Sequence, residues 1–286
     1  MRISTAVMSL VMVAAMQAPV AVQADTLDRI KSTGTITIGY VDASPPFASN
    51  TAGGKPEGFS IDLCQRIVAG VRQSLGLAEL TVKYVPVTSE TRISKVESGE
   101  IDIECGSTTR TLSRQARVDF TLLTFVTGTE LLVGLDSKID DIANLDGKKV
   151  AVLPSTTTEA VIKGLLKQRL VNAAVVSVKD HEDGIAALED GRADAYASDQ
   201  VLLIGLARKS KHPENLRLSG NLYSYEPYAM VVHQNDAAFR LVADRALAQV
   251  YRSGEIDKIY DRWFGQCNLK PSPMLSALYR IQSLPD

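Results

Sequence analysis

Apolar and polar residues alternate through Thr35-Ile-Thr-Ile-Gly-Tyr40, a period of two rich in β-branched side chains that predicts a first strand within Ile30–Val41. Asp42-Ala-Ser-Pro-Pro-Phe47 ends it, because two prolines stop helix and sheet pairing alike; Phe47 then either walls a pocket or folds onto the core. Ser49–Pro56, with Gly53-Gly54, reads as a hairpin tip. After Gly58 the period changes to 3.6: Ile61, Leu63, Ile67, Val68 and Val71 trace one helical face. Leu80–Pro86 alternates again as a second strand. Thr88 or Ser89 can cap a helix ending at Ser98-Gly99-Glu100, and Ile101–Cys105 is a third strand. The order β, α, β, α, β predicts a mostly parallel sheet with its site at the strand C-terminal ends.

The second half repeats the scheme. Val118–Val126 is apolar and extended, and Phe125-Val-Thr-Gly-Thr129 reads as a crossing between domains. Strands are expected at Glu130–Gly134, Lys149–Leu153, Val175–Val178 and Ala193–Ala197, with helices after Pro154, at Gly184–Asp190 and at Val201–Ala207. Leu216–Leu222 leads back. A strand at Tyr228–His233 and helices at Ala237–Ser253 and Gly254–Trp263 complete the body, and the last twenty or so residues form a tail.

The chemistry concentrates at strand ends. Glu104-Cys-Gly-Ser-Thr-Thr-Arg-Thr-Leu-Ser-Arg114 brings backbone N–H groups and hydroxyls behind a glycine, a nest that suits an anion, and Arg114 adds a planar fork for a carboxylate. The same residues also read as a capped helix start, with Thr109 or Thr111 as N-cap and Arg114 a solvated charge. Pro154-Ser-Thr-Thr-Thr-Glu159 repeats the design, with Thr156 as cap, as ligand contact, or as both. His181 and Asp199 each stand just past a strand; a structural histidine and a plain helix cap are the plainer readings.

Composition narrows the class. The 286 residues are 45% hydrophobic and 22% charged with a formal charge of −2, an ordinary soluble balance without a nucleic-acid footprint. Arg2, the apolar run Val7–Ala15 and Val22-Gln23-Ala24 predict a signal peptide over residues 1–24, hence an exported mature protein. Cys64, Cys105 and Cys267 then face an oxidising compartment in which two can pair, and sequence leaves the pair open. No cysteine or histidine spacing fits a metal site, and no cofactor motif is present.

With these residues in hand, the chain resembles extracytoplasmic solute-binding proteins of polar amino-acid ABC transporters, most closely the glutamate/aspartate-binding branch. The carrying motifs are Gly58-Phe-Ser-Ile-Asp-Leu63, Thr88-Ser-Glu-Thr-Arg92, Asp102-Ile-Glu-Cys-Gly-Ser-Thr-Thr109, Lys179-Asp-His181, Leu188-Glu-Asp-Gly-Arg-Ala-Asp194 and Asp257-Lys-Ile-Tyr-Asp-Arg-Trp-Phe264. The resemblance implies an α/β, two-lobed periplasmic-binding-protein fold of type II, two βα lobes joined by two crossing strands. Lobe 1 is expected at 25–126 plus 223–266, lobe 2 at 127–222, and a C-terminal tail at 267–286. It implies a monomer that binds a free amino acid and delivers it to an ABC permease, without enzymatic activity. By the same resemblance Arg114 takes the α-carboxylate with Ser107 and Thr109, Asp199 takes the α-ammonium, Thr156 and Thr157 contact the ligand from lobe 2, and Ser89, Arg92 and His181 hold the side-chain carboxylate. One departure stands out: Val41 occupies the place of an arginine in the acidic-ligand branch. A dehydratase of aromatic amino-acid biosynthesis on the same scaffold is the alternative, with Glu104, His181 and Asp199 as candidate acids or bases.

Overall fold

A computed structural model describes residues 25–267 and 269–285, without the side chain of Cys267; the signal peptide expected at 1–24 lies outside them. The strands in chain order are β1 (Thr35–Val41), the hairpin β2 (Ser49–Asn50) and β3 (Pro56–Glu57), β4 (Thr81–Val87), β5 (Ile103–Glu104), β6 (Val118–Thr127), β7 (Thr129–Gly134), β8 (Lys149–Val152), β9 (Ala174–Ser177), β10 (Ala195–Asp199), β11 (Leu216–Leu218) and β12 (Glu226–His233). They form two five-stranded sheets, ordered β4-β1-β5-β12-β6 and β11-β7-β10-β8-β9. In the first, β1 runs parallel to β4 and β5, and β12 runs antiparallel to β5 and β6. In the second, β10 is parallel to β8 and antiparallel to β7. Each sheet is thus an α/β unit with one reversed strand, β12 in the first and β7 in the second, and the chain forms two lobes.

Two segments pass between the lobes, and they touch. One is β6 running through Gly128 into β7; the other is the return from β11 into β12. A Cβ on Gly128 would stand 2.3 Å from the Ser224 carbonyl oxygen, so glycine is required for the close approach. Thr129 N–H donates to Ser224 Oγ at 3.0 Å, and Tyr223 N–H to the Thr129 carbonyl at 2.8 Å.

Phe47 resolves to the core. It is fully buried against Phe59, Phe125, Tyr228 and Phe264, with ring centroids 5.1–6.0 Å apart. Gly58, at φ 145°, accepts the fold of this loop: Phe59 N–H and Ser60 N–H donate to the carbonyls of Pro46 and Phe47. The helix Phe59–Ser74 therefore starts on backbone contacts rather than on a Ser60 or Asp62 side-chain cap, and Ser60 donates to the Gly106 carbonyl instead. Cys64 of this helix pairs with Cys105 at the end of β5, fixing the chain beside the Gly106–Thr109 loop.

Three local expectations shift. A helix at Thr26–Thr33, capped by Asp25 and closed by Gly34 in the left-handed conformation, precedes β1 and takes in the first residues of the stretch Ile30–Val41. The helix expected from Gly184 begins at His181, because Asp180 caps it by accepting from Asp183 N–H at 2.7 Å. In the tail, Pro273–Ile281 is a helix laid against β6, with the Tyr279 hydroxyl donating to the Thr124 carbonyl and the Gln282 amide bonding both the N–H and the carbonyl of Leu123. That amide satisfies the exposed edge of the first sheet as a neighbouring strand does.

Phe47→Ala removes the hub of the aromatic cluster and is expected to destabilise the protein by about 3–5 kcal/mol in urea unfolding. An unchanged midpoint would place Phe47 outside the core.

Candidate functional site

The ends of β1, β4, β5, β8 and β10 face one another across the gap between the lobes. The cleft between them narrows to a cavity of about 30 Å³. Eight of the nine expected site residues line it: Ser89, Arg92, Ser107, Thr109, Thr156, Thr157, His181 and Asp199. Val41, Ser44, Leu153, Thr158, Ser198 and Leu202 complete the wall. Larger hollows, about 880 and 690 Å³, lie elsewhere and do not join both lobes' strand ends.

Arg114 is the ninth. Thr111 caps the short helix Leu112–Gln115 by accepting from Arg114 N–H, as one reading expected, yet Arg114 is not a solvated charge. Its guanidinium folds back so that Nη1 donates to the Thr109 carbonyl at 2.7 Å, beside the cavity rather than on its wall. Burial, and then the neighbouring Arg92, bring it down to about 10, so it stays a cation at neutral pH.

Arg92 opens the helix Arg92–Glu97 and is only 5% exposed. Its Nε has no hydrogen-bond partner among the described residues. Below it, the Glu104 carboxyl is fully buried and pushed up by desolvation, against the pull of Arg92, the Thr108 hydroxyl and Arg114. Glu104 can fold under the loop because residue 106 is glycine, whose Cβ would meet Glu104 Oε1 at 2.3 Å. Thr108 donates to Glu104 Oε2 at 2.7 Å, and the loop is stitched to β12 by Arg110 N–H to the Pro227 carbonyl and Ala229 N–H to the Thr108 carbonyl.

On the opposite lobe Thr156 does cap its helix: its Oγ1 accepts from Glu159 N–H at 3.1 Å and donates to the Leu153 carbonyl. Asp199 starts the helix Gln200–Lys209 without a side-chain cap bond. Its carboxylate instead accepts from Thr158 Oγ1 at 3.2 Å and from the Tyr228 hydroxyl, so the plain-cap reading does not describe it. Burial, and then the Glu226 charge, push Asp199 up to about 7. His181 Nδ1 lies 2.7 Å from the Tyr196 hydroxyl. Burial and the nearby Arg92 bring it down to about 4, so it is a neutral imidazole at physiological pH rather than a second cation.

The cavity is therefore divided. Arg92, with Arg114 close by, makes one side cationic; Asp199 makes the other anionic. Such a polarised, desolvated cleft suits a small zwitterion bearing an additional negative group. Ser89 donates to the Pro154 carbonyl at 3.0 Å, a direct bond across the cleft. Sequence reasoning missed Glu226, Tyr228, Thr158, Ser44, Ser198, Leu153 and Leu202. Only Glu226 carried a signal, a carboxylate two residues ahead of the apolar run Tyr228–Val232; in the structure it is 2% exposed. No group of residues that could hold a metal ion occurs among the described residues, and no helix there is long and apolar enough to cross a membrane.

His181, neutral when folded, takes up a proton near pH 6.5 when unfolded and near pH 4 when folded. The unfolded chain thus binds more protons in that interval, and stability falls as pH drops through it. NMR should find the His181 imidazole untitrated between pH 5.5 and 8; a midpoint near 6.5 would contradict its burial.

The chain is similar to several known proteins. Relatives include the L-glutamate/L-aspartate-binding protein of Pseudomonas aeruginosa, 43% identical over 93% of this chain and 89% of its own. The glutamate/aspartate import solute-binding protein of Escherichia coli K12 is 38% identical, over 84% of this chain and 79% of its own. Among solved structures, an ancestral amino-acid-binding protein described as a precursor of cyclohexadienyl dehydratase aligns with a TM-score of 0.72 and 26% identity, covering 84% of this chain and all of that one. The dehydratase alternative is linked through this distant structural neighbour, whereas the named sequence relatives are binding proteins. Residues 36–266 match the bacterial extracellular solute-binding proteins, family 3, and the chain belongs to that family.

Proposed function

We propose that the protein binds glutamate or aspartate between its lobes in the periplasm and presents it, as a monomer, to an ABC permease. In this reading residues 25–126 with 223–266 close against 127–222. The observation that carries it is Arg92: a buried guanidinium lining the cavity whose Nε is unpartnered among the described residues. A buried donor left without an acceptor costs about 1–3 kcal/mol, more on a charged group, and a ligand carboxylate removes that cost. The names of the relatives point to the same ligand class.

The α-carboxylate goes to Arg114 with Ser107 and the main-chain N–H of Thr109, whose hydroxyl stays on Glu226; the α-ammonium goes to Asp199, and the side-chain carboxylate to Arg92 with His181 and Ser89 as neutral partners, Ser89 after its hydroxyl leaves the Pro154 carbonyl. Thr156 and Thr157 contact the ligand from the second lobe. Arg114 must then swing off the Thr109 carbonyl. Charge-assisted hydrogen bonds contribute about 1.5–3 kcal/mol each, and a few of them, less ordering costs, reach the roughly −8 kcal/mol of a micromolar complex.

The first test is a thermal shift of the ligand-stripped protein against the common amino acids. Ligand at 100 times its Kd adds about 2.7 kcal/mol, or roughly 5–10 °C for a chain of this size. A shift with glutamine or asparagine but not with glutamate or aspartate would sink the acidic reading. Arg114→Ala should weaken binding about 30-fold or more by calorimetry, and full affinity in that variant would remove Arg114 from the site.

Asp199 must be ionised to receive an ammonium group. Since its carboxyl holds a proton below about pH 7 in the unliganded site, acidification competes with the ligand and affinity falls as pH drops from 8 to 6. Titration in two buffers of different ionisation enthalpy should register proton release at pH 6.5; binding without proton exchange would refute the Asp199 assignment.

A further inference from the structure

Glu226 stands where the second crossing segment enters β12, 2% exposed, paired across the ladder with Thr127. Its Oε2 accepts two hydroxyl protons at 2.7 Å each, from Thr109 of the first lobe and from Thr157 of the second. Its Oε1 accepts from Ser224 at 2.5 Å, and Ser224 in turn accepts from Thr129 N–H on the other crossing segment. One carboxylate thus ties both lobes and both crossing segments together.

This geometry has a second effect. A threonine hydroxyl has one hydrogen and two acceptor lone pairs. With both hydrogens committed to Glu226, Thr109 and Thr157 offer only acceptor capacity to anything else in the cavity, although their oxygens lie 3.4 Å apart and both line it. Asp199, likewise an acceptor, lines the same cavity and feels the Glu226 charge. Through these two hydroxyls and an ionised Asp199, that end of the cleft can satisfy a donor cation and cannot satisfy a further carboxylate.

We propose that Glu226 is a positioning residue that latches the lobes and, by orienting the hydroxyls of Thr109 and Thr157, makes the cleft demand an ammonium group. The specificity half of this proposal rests on the amino-acid reading above; the latch does not.

Two measurements test it. Competition binding compares glutamate with glutarate, which keeps both carboxylates and lacks the ammonium. In Glu226→Ala the freed hydroxyls can donate, and the preference for glutamate over glutarate is expected to shrink tenfold or more, with faster glutamate release. A purely structural role weakens both ligands equally, and that result, or an unchanged preference, overturns the assignment. Should Glu226→Ala fail to fold, Thr157→Val tests the same point and is expected to reduce the preference at least threefold. Small-angle scattering of ligand-free protein reads the latch alone: Glu226→Ala, or Thr157→Val in its place, should have a larger radius of gyration than the unmodified chain. Failure of the unmodified protein to bind glutamate counts against the amino-acid reading only. The scattering then decides, and a variant as compact as the unmodified protein overturns the latch.

Discussion

A guanidinium taken out of water needs an anion within reach, and that demand organises the cleft. Arg92 meets the buried Glu104 only as a charge at a distance; its Nε is left without a protein acceptor among the described residues. Arg114 feels the same burial and the repulsion of Arg92, yet Glu104, Glu226 and Asp199 together keep it charged. Removing water makes each of these interactions stronger and each missing partner costlier. The cleft therefore favours a ligand whose charges complete the set. A neutral solute leaves the Arg92 deficit in place, whatever its shape.

The same groups explain why recognition and closure belong together. Arg92, Arg114 and Glu104 sit on the first lobe, while Thr157, His181 and Asp199 sit on the second. Glu226 and Tyr228 lie on the strand that returns between them, and Tyr228 donates to Asp199 from the first lobe's sheet. An open cleft separates the cationic wall from the anionic one. In the proposed mechanism a zwitterion that needs both walls stabilises the closed arrangement by the difference in its contacts, the condition for a ligand to shift a conformational equilibrium. The two crossing segments come into close contact at Gly128 and Ser224.

Much of this was legible in sequence because the signals were local. Period-two alternation located β1 and β4, and the hydroxyl runs after β5 and β8 pointed to the loops that line the cavity. The cap at Thr156 could be read from the residue three positions later. What sequence could not supply was pairing at long range. Asp199 looked like a helix cap because caps and ligand acids occupy the same junction; only the proximity of Thr158 and Tyr228, 41 and 29 residues away, separates the two. Glu226 was passed over because its partners, Thr109 and Thr157, are 117 and 69 residues distant. The helix Thr26–Thr33 is a different case. Its cap Asp25 and terminal Gly34 are local signals, but its eight residues show a single buried apolar position, Ile30, too few for a readable period.

Val41 bears on selectivity rather than on class. It lines the cavity where the acidic-ligand branch carries an arginine, and His181 beside Arg92 is neutral. On the cavity wall Arg92 is then the one cation set against the ligand's side chain in the proposed mode. Discrimination is a difference of affinities, so the number of hydrogen-bond donors matters less than what an alternative ligand leaves unmet. An amide in that position can accept from His181 as well as a carboxylate can, but it adds no negative charge to the distant Glu104 as a counterpart for the buried guanidinium. In the proposed mode, preference for an acid over its amide resides in the Arg92 charge itself, with an apolar wall at Val41 that offers the side chain no second way to be neutralised.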